Sequence, residues 1–144
     1  MRKGEFPTKI KTSLNRRTLA AFRYQDQEVG GALGIRNGEI VCHYLDQSGA
    51  SGAASYHPNT EELSAAIGRF FLEAGCDDFC FVHSHPAGCG RLSYADLQFA
   101  RSFLRLNPGR THVCMALVVD EQIRFFCLDA KSGELRDVPL ELTE

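Results

Sequence analysis

The order of apolar runs along the chain predicts an α/β fold with a mixed sheet flanked by helices. Short runs rich in Val, Ile, Phe and Cys read as strands, while two segments repeat their apolar residues at helical spacing. Strand and helix patterns alternate between residues 59 and 128, an order that lays helices on a sheet. At 144 residues the chain has about one domain's length, so residues 1–144 are read as a single domain with one sizeable core.

Each element has a local cause. Residues 6–11 are expected as a short edge strand. Ser13 is placed to cap a helix over 14–24, with Leu14, Leu19 and Phe22 on its inner side. Residues 31–36 and 39–46 read as two strands joined by Asn37-Gly38, a strong type I′ hairpin signal. Residues 47–58, rich in Ser, Gly and Ala, read as a mobile loop. Asn59 or Thr60 caps the next helix, whose Leu63, Ala66, Ile67, Phe70, Phe71 and Ala74 follow helical spacing, and Gly75 suits its stop. The run 79–82 is a buried strand, 94–106 a helix closed by Asn107-Pro108-Gly109, and 113–119 a continuous apolar run typical of a central strand. Asp120-Glu121 turns it into a strand over 123–128, and one last short strand is expected over 138–142.

Composition excludes several functions. A net charge of −2 gives no electrostatic reason for nucleic-acid binding, and Arg101, Arg105 and Arg110 read as a solvated helix face. No apolar stretch approaches the roughly 20 residues needed to cross a bilayer. Met1-Arg2-Lys3-Gly4-Glu5 is followed by no signal-peptide core, so a cytoplasmic location is expected. Without secretion the six cysteines need not pair. Cys80, Cys114 and Cys127 lie in apolar runs and read as reduced core residues. Cys76 and Cys80 lack the second pair of a zinc ribbon, and Cys89 reads as a loop thiol.

The most informative segment is His83-Ser84-His85-Pro86-Ala87-Gly88-Cys89-Gly90-Arg91-Leu92-Ser93-Tyr94-Ala95-Asp96. Side chains two apart on a strand point the same way, so His83 and His85 can converge where the strand ends, and Pro86 stops the ladder there. Ser93 opens a helical pattern and Asp96 falls in its first turn, within reach of the histidines. Alone, His-x-His is more often a hydrogen-bonded pair, and Ser93 with Asp96 is a capping box. Together, two imidazoles and a carboxylate form a divalent-metal set that leaves a fourth tetrahedral position for water, as catalytic zinc sites do.

This His-x-His-Pro-x6-Ser-x2-Asp pattern resembles the JAMM (JAB/MPN) metalloprotease family at every motif position, over roughly the whole chain. The resemblance implies an MPN fold, the cytidine-deaminase-like α/β arrangement, with Zn²⁺ on His83, His85 and Asp96. It also implies a catalytic glutamate in the segment Glu28-Val29-Gly30-Gly31-Ala32-Leu33-Gly34, which looks like the family's Glu-x-x-Gly-x-Leu-x-Gly stretch with its last glycine one place early. Glu39 and Glu62 are rivals on composition, but no such segment follows them. In this reading Glu28 is the general base and acid, and Ser93 donates to the oxyanion. The implied activity is isopeptide hydrolysis after the C-terminal glycine of a ubiquitin-like protein. The partners expected are that modifier, its conjugates, and E1- and E2-like proteins of a bacterial antiphage conjugation system. Alternatives are a hydrolase of small-molecule or sulfur-carrier conjugates, a RadC-like protein, and an inactive MPN scaffold.

Overall fold

A computed structural model describes residues 8–47, 50–52 and 55–144. Strand β1 (Thr8–Lys11) runs directly into helix α1 (Thr12–Ala21), with Lys11 as N-cap and no side-chain cap bond. Ser13 is therefore not the cap. Lys11 is still paired with Thr143 in the sheet, so the end of strand pairing sets where the helix begins. The helix also stops before the expected residue 24, because Phe22 turns into the core and is wholly buried. Phe6, expected in the first strand, lies outside the described residues.

β2 (Gly30–Arg36) and β3 (Glu39–Leu45) form the anticipated hairpin, with Asn37 and Gly38 at φ 51° and 77° as a type I′ turn requires. The segment expected as a mobile loop instead carries two short paired strands, β4 (Ala50–Gly52) and β5 (Ser55–His57). Helix α2 (Thr60–Glu73) follows. Of the two proposed caps Asn59 serves, its side chain accepting from the Glu62 N–H at 3.2 Å. Gly75 adopts φ 65° and lets the Cys76 N–H return to the Phe70 carbonyl, the stop its position suggested.

β6 (Asp78–Ser84), α3 (Tyr94–Leu106), β7 (His112–Val119) and β8 (Gln122–Asp129) occupy their expected places. The C-terminal strand is two strands, β9 (Leu135–Val138) and β10 (Leu140–Thr143), separated by Pro139. That break has a topological consequence. Among the described residues the main sheet has eight strands in the order β10-β1-β3-β2-β6-β7-β8-β9. Chain neighbours β9 and β10 thus lie at its two ends, and the sheet rolls nearly into a barrel. β1 is consequently not an edge, since it pairs with both β3 and β10.

The two faces of the sheet carry different helices. Leu14 and Phe22 of the α1 segment pack with Leu33, Cys80, Val82, Cys114 and Phe125 on the inner side of the roll. Leu63 and Phe70 of α2 and Ala100 of α3 pack with Phe79, Phe81 and Met115 on the other. Alternation along β6 divides its residues accordingly. Phe79 and Phe81 face α2 and α3, with T-shaped ring contacts to each other at 5.2 Å and from Phe81 to Phe103 at 5.2 Å. Each such buried ring contributes on the order of 2 kcal/mol from removal of its surface from water. The same parity carries His83 to the α3 side, beyond the last phenylalanine. No helix among the described residues is long and apolar enough to cross a membrane.

Candidate metal centre

The centre is assembled where β6 ends. His83 is its penultimate residue, and the His85 N–H, just past the strand, still donates to the Val118 carbonyl of β7 at 3.1 Å. Pro86 and Gly88, the latter at φ 80°, then turn the chain away. That turn presents the Cys89 carbonyl to His85 Nδ1 at 2.8 Å. A carbonyl only accepts, so Nδ1 carries the hydrogen, and in the neutral ring it is Nε2 that offers the lone pair. His83 Nε2 and His85 Nε2 lie 3.0 Å apart.

Asp96 closes the group from α3. Its Oδ1 is 3.0 Å from His83 Nε2 and its Oδ2 is 3.3 Å from His85 Nε2. It also completes the capping box: Oδ2 accepts from the Ser93 N–H at 2.8 Å, and Ser93 Oγ accepts from the Asp96 N–H at 3.1 Å. One carboxylate thus caps the helix and faces both imidazoles, held in place by the helix start.

Glu28 reaches the centre through backbone stitching. Ser84, wholly buried, lies between the histidines and so faces the opposite side of the strand. Its Oγ accepts from the Val29 N–H at 2.9 Å, and its own N–H donates to the Val29 carbonyl at 2.8 Å. Gly30 is the register partner of His83. A Cβ on Gly30 would stand 2.4 Å from the Tyr56 ring, and one on Gly31 only 1.8 Å from the Tyr44 carbonyl oxygen. The glycines after Glu28 are there because neighbours pass too close for a side chain. Donor atoms of Glu28, His83 and His85, all buried, lie within 4.8 Å of one another.

The two carboxylates are pushed in opposite directions. Burial opposes the charge on Asp96, but hydrogen bonds from both imidazoles and from Ser93 outweigh it and hold the carboxyl far below the usual range. Burial likewise opposes a proton on His85, yet Asp96, the Cys89 carbonyl and Glu28 raise its affinity. For Glu28 burial dominates and raises the carboxyl, with Asp96 in the same direction and both histidines opposing. Asp96 is therefore a fixed anion and Glu28 a carboxyl suited to exchanging a proton. Two imidazole nitrogens with carboxylate oxygens suit a borderline divalent ion better than Mg²⁺ or Ca²⁺, which favour all-oxygen shells.

A cleft of about 530 Å³ opens over the group, lined among others by Glu28, His83, His85, Ser93, Tyr56 and Phe99. Glu39 and Glu62 do not line it. Glu39 sits at the hairpin end of β2–β3, away from Gly30, and Glu62 is an exposed first-turn residue of α2. Cys89 is exposed at the rim with a free thiol. Sequence reasoning did not single out Asp46, Tyr56 or Ser84. Buried Asp46 accepts from Tyr56 Oη at 2.6 Å and from the Asn59 N–H at 2.9 Å, fixing the β4–β5 hairpin and the start of α2 as a wall of the cleft. The available signal was the parity of Ser84 and an acid ending an apolar strand, each of which demands a polar partner.

No protein-family model matches the chain, and no curated protein matches it. Among solved structures it is similar to protein DSY2949 from Desulfitobacterium hafniense, determined in solution. The TM-score is 0.65 at 19% identity, covering 94% of this chain and 92% of that one. At that identity the likeness shows a shared fold: the rolled mixed sheet with its helices is an arrangement found in that protein too.

Proposed function

We propose that the chain is a zinc-dependent amide hydrolase of the JAMM type with an MPN fold, acting as an isopeptidase after the C-terminal glycine of a ubiquitin-like modifier. The observation that carries this reading is the convergence of His83, His85 and Asp96 with buried Glu28 in one cleft. Zn²⁺ on His83, His85 and Asp96 would supply Lewis acidity and a bound water acidified to a pKa of about 7. Glu28 takes a proton at its carboxylate and returns it to the departing lysine amine; its raised proton affinity suits both halves of that exchange. Ser93 Oγ uses a lone pair on the Asp96 N–H, so its hydroxyl proton is free to donate to an oxyanion in the cleft it lines. Among the described residues β4 and β5 pair only with each other, and β5 borders the cleft through Tyr56 and His57. A slender glycine-ended tail can add along such an edge as an extra strand.

The test is cleavage of a Gly–Nε-lysine isopeptide drawn from a ubiquitin-like tail. Zinc-loaded protein should cleave after the glycine, lose the activity to a chelator and regain it with zinc. Glu28→Gln should keep its zinc and lose about 10²-fold or more of its turnover. Zinc-loaded wild type that binds the modifier without cleaving it would make the chain a scaffold instead.

A further inference from the structure

A second donor cluster lies at the opposite end of β6, on the inner face of the sheet. Asp78 opens β6 and His112 opens its parallel neighbour β7. Cys114, two residues beyond His112, shares its face, and Cys127 of β8 is its direct cross-strand partner. The contacts are close: Asp78 Oδ2 to His112 Nε2 is 2.6 Å, and Cys114 Sγ to Cys127 Sγ is 3.1 Å. Donor atoms of Asp78, His112 and Cys114 all lie within 4.8 Å of one another. The cluster borders a cleft of about 1130 Å³. Five residue steps along the strand separate Asp78 from His83, roughly 17 Å, so neither cluster can share the other's ion.

We propose that Asp78, His112, Cys114 and Cys127 form a second site, for a borderline divalent cation of the Zn²⁺ class. One carboxylate oxygen, one imidazole nitrogen and two sulfurs make a closed four-ligand set, which holds a structural ion and leaves no place for substrate water. Softness selects the metal, since two thiolates exclude Mg²⁺ and Ca²⁺. His112 Nδ1 lies 2.9 Å from Thr111 Oγ, which orients the ring and leaves Nε2 to bind. Asp78 Oδ1 is held by the Phe79 N–H at 2.8 Å and Arg110 Nη2 at 3.0 Å, leaving Oδ2 facing the cluster.

Charge balance accounts for Arg110. Three anionic ligands around a divalent ion leave one residual negative charge, and the Arg110 guanidinium beside Asp78 neutralises it. Arg110 is thereby not part of a solvated helix face; it also stacks over Phe79, 4.9 Å from the ring centroid. An ion here would tie β6, β7 and β8 together at the end of the sheet remote from the first centre.

Cobalt(II) titration tests the site, because thiolate ligation gives a sulfur-to-cobalt charge-transfer band that the sulfur-free first centre cannot give. Metal-free protein is used under a phosphine reductant, in a Cys89→Ser background so that the rim thiol contributes nothing. In His83→Ala/His85→Ala, which removes the first centre, the band should persist and saturate at one equivalent. It should fall to about half in Cys127→Ser, a half-buried position where the change is mild, since one thiolate remains. It should weaken in Asp78→Asn and vanish in Cys114→Ser/Cys127→Ser, with circular dichroism unchanged in the single variants. No band in the reduced background protein, or a band undiminished in Cys127→Ser, would overturn the site.

Discussion

Two adjacent glycines after Glu28 should respond to alanine in different ways, because one faces backbone and the other a side chain. An alanine Cβ at Gly31 would lie 1.8 Å from the Tyr44 carbonyl oxygen and 2.9 Å from its carbon. Restoring even a 3.0 Å separation opens β2 from β3 by about 1.2 Å, the difference between those distances. The Asp46 N–H to Gly30 carbonyl bond, now 2.8 Å, cannot survive that opening. Its loss costs about 1 kcal/mol, and overpacking adds about 1–3 kcal/mol. Gly31→Ala should therefore lose roughly 2–4 kcal/mol, or on the order of 10 °C in Tm for a chain of this size. At Gly30 the obstacle is the Tyr56 ring at 2.4 Å, which can swing aside at the expense of its bond to Asp46. Tyr56→Ala should therefore rescue the packing of Gly30→Ala and leave Gly31→Ala unimproved. Urea unfolding of the three single and two double variants measures both couplings. A wild-type midpoint for Gly31→Ala, or its rescue by Tyr56→Ala, would refute this account of the segment.

Other consequences are equally direct. Ser93→Ala removes the N-cap of α3 and a hydroxyl of the cleft, so stability should fall by about 1 kcal/mol while isopeptide turnover falls by about 10²-fold; equal activity would deny Ser93 a place in the chemistry. His85→Ala should release zinc from the first centre, read by elemental analysis in a Cys114→Ser/Cys127→Ser background. His43, half-buried with Nδ1 3.0 Å from Thr18 Oγ, has its proton affinity lowered first by burial and then by Arg17. Because its folded value is depressed, its contribution is complete above the unfolded value of about 6.5 and is lost as pH falls through the folded value. Acid titration of unfolding free energy should therefore show a decline below pH about 6.5 that is absent in His43→Gln.

Local patterns in the sequence determined a great deal. Periodicity placed α2, α3, β6, β7 and β8, since a helix or strand with one greasy face has few other ways to bury it. Asn37-Gly38 set its hairpin through backbone conformation alone. His83 and His85 were legible as a pair because strand parity is fixed within three residues, and Ser93 with Asp96 because a helix start has fixed spacing. Glu28 was legible only through the resemblance of its segment; nothing local distinguishes it from Glu39 or Glu62.

What the tertiary structure decided are relations between residues remote in the chain. Ser84 to Val29, Asp46 to Tyr56, and the approach of Tyr44 to Gly31 depend on which strands become neighbours, which no local propensity encodes. The same holds for β1, predicted as an edge but covered by β10, and for residues 47–58, whose strands form because each supplies the other's hydrogen bonds. Ser13 looked like a cap by composition, yet pairing of Lys11 with Thr143 placed the helix start first. The grouping of Asp78, His112, Cys114 and Cys127 arises from the register of three strands, so single cysteines in apolar runs gave no sign of it. Short-range chemistry is written in spacing; long-range chemistry exists only once the sheet has rolled and brought its two ends together.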